Sequence, residues 1–111
     1  MSNEVKAIHV DTSELRAGDV VVTHGMRVLL QGEPNEYDGY NSGEKRTVYH
    51  WKGLVTNLED VKEEHFIPIS WLYPDKWVPG QGWTKDYSAK PCWVVQGNEF
   101  ARWTVERVAE G

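Results

Sequence analysis

His9 and Asp11 stand two residues apart, a spacing that puts an imidazole and a carboxylate on one face of a β-strand, where a metal could join them. His50 could approach in space, but His24, His50 and His65 are scattered, and no H-x-x-x-H or H-E-x-x-H motif occurs. Two ligands do not close a site. The ordinary reading of all four is a half-buried, hydrogen-bonded strand or turn histidine, and no metal is expected. A nucleophilic thiol needs a base and an electropositive setting, and no local signature around Cys92 supplies either, so Cys92 reads as structural. None of Ser2, Ser13, Ser42, Ser70 and Ser88 lies in a Gly-x-Ser-x-Gly context. The carboxylate pairs Glu59-Asp60 and Glu63-Glu64 read as a solvated acidic face. Pro79-Gly80-Gln81-Gly82 lacks the helix and the Lys-Ser/Thr pair that a phosphate loop requires. No catalytic residue and no cofactor are expected.

The aromatic residues offer more. Trp71, Tyr73, Trp77, Trp83, Tyr87 and Trp93 fall between positions 71 and 93, interleaved with proline and lysine. Exposed rings can hold a proline-rich peptide, a sugar, a methylated lysine or unstacked bases. Rings of this size can equally pin a long loop by burial. Trp71 and Trp93 sit in strand-like runs and read as core. Trp77 and Trp83, flanked by loop residues, divide between scaffold and surface; with Tyr73 and Tyr87 they form the candidate binding set. Lys76, Lys85, Lys90 and Arg102 would supply the cations if the partner were single-stranded nucleic acid.

Strands must position these groups. Residues 1–5 are mostly polar and read as a flexible N-terminus, and Lys6-Ala7-Ile8-His9-Val10 alternates as a first strand. Asp11-Thr12-Ser13 offers cap residues, and at most one helical turn follows before Gly18. Asp19-Val20-Val21-Val22-Thr23-His24, a break at Gly25-Met26, and Arg27-Val28-Leu29-Leu30-Gln31 predict a hairpin, with Gly25 supplying positive φ. Residues 33–45 hold proline, asparagine and three glycine or serine positions, and predict a long loop. Residues 46–55 predict a long strand with Val48, His50 and Lys52 on one side and Tyr49 and Trp51 on the other, and a bulge or bend at Gly53. Residues 57–65 predict one short helix capped by Asn57. Ile67 to Tyr73 predicts an edge strand, residues 74–91 a second long loop, and a turn at Gly97-Asn98 a final hairpin with Ala101, Trp103 and Val105 on one face.

These elements make one mostly-β domain over residues 6–109, a small SH3-like barrel or a rolled antiparallel sheet with one short helix. The Leu-x-x-Gly-Asp-Val-Val opening followed by a hairpin resembles the start of many SH3-like barrels. A net charge of −5 and dispersed lysines and arginines argue against general polyphosphate binding. A lone cysteine, an N-terminus unlike a signal peptide and no apolar run of about 20 residues predict a cytoplasmic protein without a membrane contact.

As a set, the motifs resemble a family of small proteins from bacteriophages and prophages of actinobacteria. The likeness rests on Gly18-Asp19-Val20-Val21 with His24-Gly25-Met26-Arg27-Val28, on Tyr49 to Trp51 with Gly53, and on Trp93 to Asn98 continuing to Ala101, Trp103 and Val105-Glu106. It spans residues 15 to 107. The family carries no established activity, so the resemblance transfers no site residue; it implies a phage-encoded accessory protein in the host cytoplasm. The leading expectation is non-catalytic protein–protein binding, the partner being an unknown host protein or a second copy of the chain in a homodimer. Single-stranded nucleic-acid binding on a barrel face and small-ligand binding are the alternatives.

Overall fold

A computed structural model describes residues 5–61 and 68–108. Nine strands form in chain order: β1 (Val5–Asp11), β2 (Val20–Thr23), β3 (Met26–Leu30), β4 (Asn35–Asn41), β5 (Glu44–Val55), β6 (Asp75–Val78), β7 (Gly82–Lys85), β8 (Cys92–Gly97) and β9 (Arg102–Val108). Seven of them make one antiparallel sheet in the order β1-β9-β2-β3-β5-β4, with β8 also on β5; β6 and β7 make a separate two-stranded sheet. The large sheet does not close, so the mostly-β expectation is met by an open antiparallel sheet rather than a sealed barrel.

Register explains the core. Ile8 lies opposite Val105, Val105 opposite Val21, Val21 opposite Val28 and Val28 opposite Val55, so one row of branched side chains crosses five strands. The four valines of that row are buried, joined by Met26, Leu30, Trp51, Val95, Leu72 and Val61. Period-two alternation puts this row on one face, and burial of each such side chain is worth roughly 1.5–3 kcal/mol. The two-residue β2–β3 turn falls one position earlier than expected: His24 (φ 50°) and Gly25 (φ 77°) both take positive φ, as a type I′ turn requires, and Met26 begins β3.

The expected loop at residues 33–45 is instead a hairpin. β4 pairs with β5 from Asn35 opposite His50 to Asn41 opposite Glu44, across a turn at Ser42 (φ 53°) and Gly43 (φ 82°). Turn-forming composition there was outweighed by a long partner strand, because β5 offers residues 44–50 as a template. β5 itself is continuous, with Trp51, Gly53 and Val55 buried in alternation and Val48, His50 and Lys52 on the opposite side as expected. Gly53 makes no bulge: its register with both β3 and β8 is unbroken. The residue is small because a Cβ there would stand 2.2 Å from Val28 Cγ1 and 3.2 Å from the Leu29 carbonyl.

Three further expectations change. The helix over residues 57–65 is a single 3-10 turn at Leu58–Asp60, ended by extended Val61, with residues 62–67 outside those described. Asn57 does not cap it; its Oδ1 accepts from the Arg27 N–H (2.7 Å) and its amide donates to the Gly25 carbonyl (3.0 Å), bracing the β2–β3 turn. The expected edge strand near residue 70 is a 3-10 turn, Ile69–Leu72, in which Leu72 alone is buried. A tight turn after Pro68 lets one side chain in four reach the core, which a strand would not. Finally, Gly97-Asn98 turns the chain without making a hairpin. β8 runs along β5, whereas β9 inserts between β1 and β2. Gly97 permits that corner, since a Cβ would meet Ala101 Cβ at 2.7 Å and Thr12 Oγ1 at 2.9 Å.

Buried polar groups tie β9 to the segments that follow β1 and precede β2. Asp19, 3% exposed, accepts from Arg107 Nε (2.8 Å) and Nη2 (2.7 Å) and from the Arg16 N–H (2.9 Å). Thr12 Oγ1, also buried, accepts from the Trp103 indole N–H (2.8 Å). Among the described residues no helix is long and apolar enough to cross a membrane.

Candidate functional site

The segment read as a ring-rich loop at residues 74–91 contains the β6–β7 hairpin. Pro79 and Gly80 (φ 85°) take the two central places of a turn closed by the Gln81 N–H on the Val78 carbonyl (3.0 Å), the pairing a type II turn favours. Trp77 then lies opposite Trp83 and Asp75 opposite Lys85. The ladder extends one step past the strands, where the Asp86 N–H donates to the Pro74 carbonyl (2.8 Å), and the same register brings Tyr73 to Tyr87.

Alternation therefore gathers six side chains on one face of the hairpin. Tyr73 and Tyr87 meet edge-on at 5.1 Å, Asp75 pairs with Lys85 at 3.1 Å, and Trp77 and Trp83 meet edge-on at 5.7 Å. The Trp pair stands about 13 Å along the strand from the Tyr pair, four residues at roughly 3.3 Å each. Trp77 is 60% exposed, Trp83 70% and Tyr87 63%; Tyr73 is half-buried against the core. All four rings of the sequence-derived binding set are thus brought together.

Of the candidate cations, Lys85 joins that face, whereas Lys76 and Arg102 do not. Lys85 is held by Asp75 and by the Tyr73 carbonyl (3.2 Å), and Lys76 sits 3.6 Å from Asp86 on the opposite face. Arg102 lies in β9 opposite Asp11 of β1. The Asp86 carboxyl titrates below the usual range because the Ser88 hydroxyl (2.5 Å) and backbone N–H (3.1 Å) donate to it, with a smaller contribution from Lys76.

Trp71 was read as core and is exposed, because Leu72 takes the inward place of its 3-10 turn. Trp93 is half-buried, packed on the core and edge-on to His24 at 6.1 Å. Between the hairpin base and β5 lies a cleft of about 450 Å³, with Trp71, Tyr73, Pro74, Lys52, Lys90 and Cys92 in its walls. Sequence reasoning missed Lys52, Cys92 and Trp71 as surface groups; the strand alternation that puts Lys52 opposite Trp51 was the one available signal.

The chain matches no protein-family model, no curated protein and no solved structure.

The histidines are dispersed among structural partners. His9 Nδ1 meets Thr104 Oγ1 at 3.2 Å and His50 Nδ1 meets Gln96 Oε1 at 2.9 Å, while His65 lies outside the described residues. Among the described residues no three His, Cys, Asp or Glu side chains come together as a metal site.

Proposed function

We propose that this chain is a non-catalytic binding protein that engages another protein through the ring-bearing face of the β6–β7 hairpin. The observation that carries the reading is the row of Trp77, Trp83 and Tyr87, each more than half exposed and held in fixed edge-on pairs. Large rings that lose little freedom on contact are the side chains most enriched at the centres of protein interfaces. A packed pair is preorganised, so less ordering cost falls on association. The resemblance to proteins of actinobacterial phages supports an accessory role in an infected cell, and the lone cysteine fits its cytoplasm.

Single-stranded nucleic acid is the weaker reading. It needs free positive charge along the hairpin that carries the rings, whereas both lysines of that hairpin, Lys76 and Lys85, are paired with Asp86 and Asp75.

Immobilised protein exposed to actinobacterial lysate tests the proposal, with the Trp77→Ala/Trp83→Ala double variant beside it. A partner retained by the native chain and lost by the variant is the expected result, and sedimentation of the pure protein shows whether that partner is a second copy. Equal retention by both, or none by either, overturns the assignment.

A further inference from the structure

The cleft at the hairpin base is separate from the exposed ring face and has a chemistry of its own. Its volume of about 450 Å³ falls in the range of small-molecule sites. Trp71 and Tyr73 give it flat apolar walls and Pro74 a rigid rim. Lys52, from β5, and Lys90, just before β8, line the same walls, and among the described residues no Asp or Glu does. In a chain of net charge −5 this is an unusual local balance.

The pairing pattern sharpens the point. Lys45, Lys76 and Lys85 each have a carboxylate within salt-bridge distance. Lys52 and Lys90 have none among the described residues. Two uncompensated positive charges beside aromatic walls complement a negative charge carried on a flat ring, because the rings bury the apolar body while the ammoniums meet the anion.

We infer that this cleft binds a small organic anion with a flat aromatic body, of the aryl carboxylate class. The site goes beyond the hairpin surface and uses different residues, Tyr73 excepted, so either can fail alone.

The one cysteine of the chain supplies a reporter, since Cys92 is partly accessible and lines the cleft. The rate of Cys92 alkylation by iodoacetamide is measured with increasing 1-naphthoate, and with uncharged 1-naphthamide as the control. Naphthoate slows alkylation saturably, by on the order of tenfold when present at ten times its dissociation constant. Naphthamide binds about tenfold more weakly, for want of the two charge contacts. Lys52→Met/Lys90→Met removes the advantage of the carboxylate, scored as the ratio of rates with and without ligand so that any change in the thiol itself cancels. No saturable slowing by naphthoate, equal protection by naphthamide or full protection in the lysine double variant would each overturn the assignment.

Discussion

Removing the Asp19 carboxylate would take two hydrogen bonds from the Arg107 guanidinium, which keeps the Glu14 carbonyl, and would take from the Arg16 N–H its side-chain acceptor. Asp19 is almost wholly enclosed, so Asp19→Ala is expected to cost about 3 kcal/mol, read as a lowered urea midpoint with unchanged slope. Gly53→Ala should cost roughly 2 kcal/mol for a different reason, since Val28 and the Leu29 carbonyl occupy the space a methyl needs. At Asp86 the effect is on titration. Its depressed folded value means that its contribution is complete above the ordinary carboxylate range and disappears as pH falls through the folded value. Ser88→Ala removes the chief cause, so the Asp86 carboxyl, followed by NMR, should titrate closer to its ordinary value and lose that acid-side contribution. Of these residues, sequence alone marked Gly53 as special and could not say why: a bulge and a close neighbour both call for glycine, and only the register separates them. Asp19 gave no signal, because its partner Arg107 is 88 residues away.

Elements were legible where local chemistry dictates them and illegible where a distant partner does. The Val20–Leu30 hairpin announced itself by β-branched runs around a glycine turn, and it formed. β4 did not, since its own residues favour turns and β5 supplies the order. The β6–β7 hairpin carried a readable mark, Gly80 after a proline with a tryptophan three residues to each side, but the prolines on either side masked it. A two-stranded sheet is marginal in water unless its faces pack. The ring pairs are worth roughly 0.5–1.5 kcal/mol each and hold this one. Trp77→Ala and Trp83→Ala should therefore each abolish the exciton signal of coupled indoles in circular dichroism, while lowering global stability by less than about 1 kcal/mol. Loss of the whole sheet signal would contradict a locally held hairpin.

For the molecule as a whole, the overall class was readable from composition and periodicity, whereas the strand order was not, because no local rule says that β9 enters between β1 and β2. The radius of gyration, 16.1 Å, exceeds the ~13 Å typical of a packed domain of about this length. The described side chains of β4, β6 and β7 are exposed or partly exposed, whereas the core cluster draws on β1, β2, β3, β5, β8 and β9. Protection should follow that division: amides of β5 between Trp51 and Leu54, flanked by β8 and in part by β3, exchange slowest, and those of β4, β6 and β7 fastest. Hydrogen exchange showing uniform protection would refute it.

The place of β9 also bears on how the chain is made. The first strand finds its sheet partner only in residues 102–108, so during synthesis it must wait, unmatched, until those residues have left the ribosome. A messenger cut short before that point would yield a polypeptide whose first strand has no neighbour to close on, and quality control, rather than partner binding, would decide its fate.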